Sequence, residues 1–130
     1  MSHSSPPAPP GPETANTLMP AQADLSAALA RAVGADRVAL LAATLADDLA
    51  GVALQLRSAH RADQRRGCHT LVALAALAGD AGLAERARSL LADADAAAGR
   101  PFPEGEARAL ADGVEVLART ASALGAGMAP

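Results

Sequence analysis

The chain has 130 residues, and its eleven Arg and fourteen acidic residues, with no Lys, give a formal net charge of −3. This length allows one domain, and the mild acidity excludes the dense basic stripe that nucleic-acid binding requires. Trp and Tyr are absent and there is a single Phe, so the interior must consist of Leu, Val and Ala. Such a core favours closely packed helices over strands.

The composition also bears on the compartment. A single cysteine, Cys68, cannot form an intramolecular disulfide, which is compatible with a reducing compartment. No basic segment followed by an apolar stretch opens the sequence, and no uninterrupted apolar run reaches the roughly 18 residues of a membrane span. We therefore expect a cytoplasmic protein without membrane or nucleic-acid partners.

Residues 1–20 are rich in Pro, with Ser, Gly and Ala between the prolines. This composition predicts a disordered tail that precedes a helical domain at residues 21–126. A plain linker is favoured over docking to an aromatic groove, although Pro-rich tails are capable of the latter.

Apolar spacings of three and four residues predict five helices after the tail. Leu25, Leu29 and Val33 mark the first, and Gly34 stands where a helix C-cap is expected. The short connections imply antiparallel neighbours. We expect an all-α protein, an antiparallel up-down four-helix bundle with a short N-terminal capping helix. The expected helices span residues 24–33, 35–59, 63–78, 83–98 and 104–124.

The apolar stripes of the longer helices define the expected core, with Phe102 as an apolar plug under the loop before the last helix. The stripe residues are Leu41, Leu45, Leu49, Val52 and Leu56; Leu83, Ala87, Leu90 and Ala94; and Ala107, Leu110, Val114, Leu117, Ala121 and Leu124.

The third helix carries the candidate site. At roughly 100° per residue, Leu71, Leu74 and Ala78 lie about 140° to 200° around the helix from His69, so the imidazole is expected to face water. The same side carries Arg65 and Arg66, one turn earlier, and the small or apolar residues Val72, Ala73 and Ala76. A flat surface of small residues around an exposed imidazole suits close docking of a partner.

An exposed imidazole is largely uncharged near neutral pH, so one ring nitrogen is free to attack an electrophile. A phosphoryl acceptor needs this exposure and positive charge near the transferred oxygens, which Arg65 and Arg66 could supply. From the helical pattern alone, an ordinary surface histidine remains the alternative to a phosphoryl acceptor.

The segment Cys68-His69-Thr70-Leu71-Val72-Ala73-Leu74-Ala75, followed by Gly79 and Leu83, resembles the signature of histidine-containing phosphotransfer (HPt) domains. In that family the phosphorylated histidine is followed two positions later by Leu and ten positions later by Gly, and here Leu71 and Gly79 match. The resemblance covers about residues 24–124.

The resemblance implies that His69 relays a phosphoryl group between aspartates of response-regulator receiver domains in a multistep phosphorelay. The implied chain is a monomeric phosphocarrier without kinase activity of its own, with receivers and a hybrid histidine kinase as partners. It implies no cofactor and no metal here, because the Mg²⁺ of the reaction would lie in the partner receiver.

Two positions depart from the family pattern, since Val72 and Ala73 stand where the family usually has Lys and Gly. Arg is not a geometric substitute for that Lys. The alternative function is therefore a degenerate, non-phosphorylated bundle that acts as a receiver-binding adaptor.

Other chemistry finds less support in the pattern. Cys68 and His69 diverge by about 100° on a helix and cannot readily bind one metal ion, and the pattern does not place His60 or His3 near them, so a zinc site finds little support. Cys68 is expected to pack as a small apolar residue at the core edge. The acidic pairs Asp47 and Asp48, and Asp93 and Asp95, are expected on solvated faces. Thr70 follows His69 where sensor kinases usually carry an acidic residue, which favours a carrier over a dimerising kinase.

Overall fold

The computed structural model describes residues 20–96 and 102–127, which form five α-helices and one 3-10 turn. Those residues contain no strand, so the all-α prediction is confirmed. The elements are α1 at Pro20–Val33, the 3-10 turn at Ala35–Arg37, α2 at Val38–Arg57, α3 at Arg61–Leu77, α4 at Ala81–Ala96 and α5 at Glu104–Gly127.

The helix boundaries differ from the sequence prediction by a few residues at several ends. Helix α1 begins at Pro20, because proline is tolerated in the first turn of a helix. The predicted Pro-rich tail otherwise lies outside the described residues. Gly34 has a φ of 92°, which separates α1 from the 3-10 turn, so α2 starts at Val38 and not at residue 35. Helix α3 begins two residues before the predicted start, at Arg61.

A glycine and an aspartate form the tight turn between α3 and α4. Gly79 has a φ of 76°, and the N–H of Asp80 donates to the carbonyl of Ala75 at 2.8 Å, as in a Schellman C-cap. Asp80 then caps the next helix, since its Oδ1 accepts the N–H of Leu83 at 3.0 Å. The two helices therefore lie next to each other with only a few residues between them.

The core is made of the predicted aliphatic stripes. The predicted residues of α4 are all buried, as are four of the five predicted for α2 and five of the six predicted for α5. Leu41, Leu74 and Leu117 are half-buried, and Val33, at the end of α1, is 38% exposed. Phe102 is 3% exposed, as expected of an apolar plug.

Packing between helices is closest where α2 meets α5. A Cβ built on Gly125 would lie 3.2 Å from the backbone nitrogen of Ala43 and 3.3 Å from the carbonyl oxygen of Ala39. A side chain at this position would require the two backbones to move apart by a few tenths of an ångström. Helix α3 packs between α2 and α4, and α1 contacts α2, α3 and α5.

The segment Ala35–Arg57 is long and apolar enough to cross a membrane by length and composition alone, with a mean hydropathy of 1.5 over its most apolar window, 33% of which is buried. The same segment supplies core residues from Val38 to Leu56. Since a core helix meets the same criteria, the segment is not assigned to a membrane.

Candidate functional site on the outer face of helix α3

His69 lies near the middle of α3 on the side that faces water. The buried side of the helix consists of Gln64, Gly67, Cys68, Leu71 and Ala75. His69 itself is exposed, and no hydrogen bond or ion pair from the described part of the chain reaches its ring. The imidazole is thus open to a molecule approaching from solvent, which is the orientation that the helical pattern predicts.

Small side chains border the imidazole on the C-terminal side. Ala73 and Ala76, four and seven positions after His69, are exposed, and Val72 is half-buried against the core. Residues three and four apart are neighbours on a helix surface, so these side chains lie beside His69. We call His69, Val72, Ala73 and Ala76 the His69 face; none of its members is larger than the imidazole itself.

The two arginines before His69 are both engaged by carboxylates. Arg65 of α3 forms an ion pair with Asp95 of α4, and both side chains are partly exposed. Arg66 is exposed and lies 3.8 Å from Asp63 on its own helix. Each of the guanidinium groups expected to support a phosphoryl group therefore already has an anionic neighbour.

Asp95 lies on a solvent-exposed face, as predicted, and it also pairs with Arg65, which was not predicted. Asp95 is exposed, yet it binds an arginine 30 residues away in sequence. The signal in the sequence is that both residues lie equally far from Asp80 in the turn, so an antiparallel hairpin places them opposite each other. A second contact supports this register, since Arg61 Nη2 donates to the carbonyl of Ala94 at 2.8 Å. Asp47 and Asp48 are exposed, as predicted.

Cys68 is adjacent to His69 and has the opposite environment. Its side chain is completely buried in the core, and this burial raises the pKa of the thiol from 9.0 to about 11. A buried thiol held in its neutral form is a poor nucleophile and a poor metal ligand. Cys68 is therefore a packing residue.

The directions of the Cys68 and His69 side chains also decide whether the two residues could bind one metal ion. Cys68 points into the core and His69 into solvent, so the two cannot bind a common ion. The described residues contain no group of three or more His, Cys, Asp or Glu side chains that could hold a metal ion. His3 lies outside the described residues.

The chain was compared with protein-family models, with curated proteins and with solved structures. No family model matches the sequence, and no curated protein or solved structure gives a significant match. The functional assignment therefore depends on the geometry of the His69 face and on the short motif around it.

Proposed function

We propose that this chain is a histidine phosphotransfer protein in which His69 carries the phosphoryl group between aspartates of response-regulator receiver domains. The observation that carries the proposal is the exposed, unpartnered imidazole of His69 in the middle of a packed helix. The HPt-like spacing of Leu71 and Gly79 supports it, because Leu71 is buried and Gly79 occupies the positive-φ turn where the helical hairpin folds back.

The scaffold that we propose is an antiparallel four-helix bundle of α2, α3, α4 and α5, with α1 as a cap. In such a bundle each helix packs against two neighbours, and the two diagonal pairs stay apart. The described helices agree with this order, since α2 contacts α3 and α5, α4 contacts α3 and α5, and the diagonal pairs make no comparable contact. A bundle holds the backbone of His69 in a fixed position for an incoming partner.

The proposed step begins when a ring nitrogen of His69 attacks the phosphorus of an aspartyl-phosphate on a receiver. The bond between the phosphorus and the aspartyl oxygen breaks, the carboxylate departs with the electron pair, and a phosphorus–nitrogen bond forms. The reverse reaction delivers the phosphoryl group to the aspartate of a second receiver. Mg²⁺ in the acidic site of the receiver balances the charge of the phosphoryl oxygens.

The His69 face would serve as the docking surface in this reaction. Ala73 and Ala76 allow a receiver to approach α3 closely, since neither extends beyond a methyl group. Arg65 and Arg66 would attract the phosphoryl oxygens in competition with Asp95 and Asp63. We further propose that the protein acts as a cytoplasmic monomer that receives its phosphoryl groups from a hybrid histidine kinase through such a receiver.

The direct test is transfer of radiolabelled phosphate from a phosphorylated receiver domain to the purified protein. We expect an acid-labile, base-stable label on the wild-type chain and none on His69→Gln. His60→Gln is the matched control, because His60 is also exposed but lies before α3; it should be labelled like the wild type. Equal labelling of the wild type and His69→Gln would contradict the proposal.

The second candidate is a receiver-binding adaptor that does no chemistry. Two observations favour it, namely the aliphatic side chain of Val72 beside His69 and the engagement of Arg65 by Asp95. This function predicts that receivers bind the wild type and His69→Gln alike, as measured by calorimetry, and that no phosphohistidine appears with any receiver.

A further inference from the structure

Helix α2 has a second apolar side, which the bundle does not cover. The most apolar window of the segment Ala35–Arg57 has a mean hydropathy of 1.5, yet only 33% of that window is buried. Leu40 and Leu54 are each 73% exposed. A bundle helix normally carries charged or polar residues opposite its buried stripe. Two large aliphatic side chains left in water on one helix are typical of a surface that another molecule covers.

The two leucines lie on one stripe of α2, with Asp47 halfway between them. Leu40 and Asp47 are seven positions apart, as are Asp47 and Leu54, and seven residues return to within about 20° of the same direction around a helix. The three side chains therefore point the same way along about 21 Å of α2. The exposed residues of this stripe, which we call the α2 face, are Leu40, Ala43, Thr44, Asp47, Ala50, Gly51 and Leu54.

A cleft of about 370 Å³ between α2 and α5 lies beside Leu54 and offers a recess for an apolar side chain. Its lining residues are Ala50, Ala53, Leu54, Glu115, Ala118 and Arg119. The α2 face is therefore turned towards α5.

The α2 face is separate from the His69 face. Gln55, the residue after Leu54, is directed about 100° away and contacts α3, since a Cβ built on Gly67 would lie 3.0 Å from the Cβ of Gln55. Leu54 borders α5 on the other side of α2. A molecule on the α2 face thus leaves the imidazole of His69 open.

The charge of the α2 face is negative at its midpoint. Asp47 is exposed, and no hydrogen bond or ion pair from the described part of the chain reaches its carboxylate. Asp48, beside it, is also exposed, and no member of the α2 face is basic. A partner gains attraction from a cation opposite Asp47 and meets repulsion if it places an anion there.

This position of Asp47 disfavours a second copy of the chain as the occupant. Whenever the leucines of two α2 faces are aligned, in parallel or antiparallel, Asp47 lies opposite its own counterpart, because it is the exact midpoint of Leu40 and Leu54. Like charges placed opposite each other destabilise an interface. A shift of an antiparallel pair by one turn separates the aspartates but moves one leucine of each copy past the end of the partner's α2.

The same charge disfavours a lipid surface. Helices that lie in the membrane interface carry Lys and Arg around their apolar side, and these residues are attracted to anionic headgroups. The α2 face has acidic residues in those places. A protein partner with a basic residue fits better.

We propose that the α2 face binds an amphipathic helix of another protein, in which an Arg or Lys lies midway between two apolar residues fourteen positions apart. The two apolar residues pack on Leu40 and Leu54, and the basic side chain pairs with Asp47. Helices commonly dock in this way, through apolar anchors spaced along one side. The inference does not depend on the chemistry of His69.

Two synthetic helical peptides test the charge at the midpoint. Both carry two leucines fourteen positions apart, and they differ only in the residue midway, which is Arg in one and Glu in the other. Binding is measured by NMR titration of the methyl groups of Leu40 and Leu54. We expect saturable shifts at both leucines and an affinity about threefold to fivefold higher for the Arg peptide.

Asp47→Arg should reverse this preference, so that the Glu peptide binds more tightly. The double variant Leu40→Gln and Leu54→Gln should lose both peptides and remain folded, since both leucines are largely exposed. Ala92→Gln is the matched control, because it changes an exposed position of α4, which is diagonal to α2, and should bind like the wild type. His69→Gln should also bind both peptides normally, which separates this inference from the phosphotransfer proposal.

Three results would overturn the inference. The first is the absence of saturable shifts at Leu40 and Leu54 with either peptide, and the second is the same peptide preference in the wild type and Asp47→Arg. The third is a different occupant, shown by sedimentation with vesicles of phosphatidylcholine and phosphatidylglycerol, or by dimerisation in analytical ultracentrifugation, that the double leucine variant abolishes.

Discussion

Adjacent positions on α3 show how strongly burial decides the chemistry of a side chain. Cys68 and His69 differ by one residue, or about 100° around the helix, and one is sealed in the core while the other faces solvent. A thiol is ordinarily a stronger nucleophile than an imidazole, but here its burial makes Cys68 the unreactive residue of the two. The helical pattern predicted both orientations because the angle per residue is fixed by the backbone alone.

The raised pKa of Cys68 makes stability depend on pH in a defined window. The thiol is neutral in the folded state up to a pKa of about 11 and ionises near 9.0 when exposed, so unfolding gains free energy from ionisation as pH rises between these values. The stabilising effect is fully present below pH 9.0 and is lost towards pH 11. We expect the free energy of unfolding to fall by on the order of 2 kcal/mol across this window.

Urea denaturation at several pH values from 8 to 11 measures this effect. The absence of Lys and Tyr makes the measurement clean, because no other side chain of this chain titrates there. Cys68→Ala is the control, and its free energy of unfolding should stay nearly constant over the same range. Parallel pH profiles of the two proteins would refute the assignment to Cys68.

Contacts between residues distant in sequence were the part of the site that the pattern did not predict. Asp95 is exposed, as expected, but its ion pair with Arg65 was not predicted, since a helical wheel describes one helix and holds no information on its neighbour. The ion pair with Arg65 requires the antiparallel register of α3 and α4.

At the scale of the helices, the sequence pattern predicted the extent of each helix within a few residues. It also predicted the type of every element except the 3-10 turn. The spacing of aliphatic residues carries this information, because a helix must bury one stripe. The helix starts were less accurate. Helix α3 begins at Arg61 because the N–H groups of Asp63 and Gln64 both donate to the carbonyl of His60, whereas the apolar pattern has no member in that first turn.

Two glycines in different backbone conformations should respond to alanine in opposite directions. Gly51 lies inside α2 with nothing within 4 Å of a built Cβ, so Gly51→Ala should raise the free energy of unfolding by about 0.5–1 kcal/mol. Gly79 has a φ of 76°, and its Cβ would lie 3.0 Å from the Cβ of Ala28. Gly79→Ala should therefore lower the free energy of unfolding by about 1–2 kcal/mol.

Chemical denaturation of the two variants beside the wild type checks the pair, with circular dichroism to show that both remain helical. If both substitutions changed the free energy of unfolding in the same direction, the turn between α3 and α4 would not require the left-handed conformation at Gly79.

At the scale of the whole molecule, the His69 face lies on the outside of a single core. Leu45 and Leu49 of α2 and Val114 of α5 are almost completely buried in that core. A packed core of this kind resists local deformation. A partner that docks on the His69 face therefore meets a preformed surface.

The ion pair between Arg65 and Asp95 joins α3 to α4 one helical turn before His69, and we propose that it tunes the charge that a phosphoryl group on His69 would meet. Both side chains are partly exposed, at 38% and 52%, so the pair itself contributes little to stability. Because the pair is exposed, we expect Asp95→Asn to leave the fold unchanged and to free Arg65 for the phosphoryl oxygens. We expect the rate of phosphoryl transfer from a receiver to rise by about fivefold, the factor that roughly 1 kcal/mol represents.

Arg65→Gln should lower the same rate by a similar factor, because it removes the guanidinium that Asp95 holds. Arg108→Gln is the matched control, since it breaks an exposed ion pair with Glu104 on α5 and should leave transfer unaffected. Rapid-quench measurements with one phosphorylated receiver compare the three variants with the wild type, while urea denaturation verifies that their stabilities agree within about 1 kcal/mol. If Asp95→Asn and Arg65→Gln both transfer at the wild-type rate, Arg65 takes no part in the reaction, and the charge near His69 must come from the receiver.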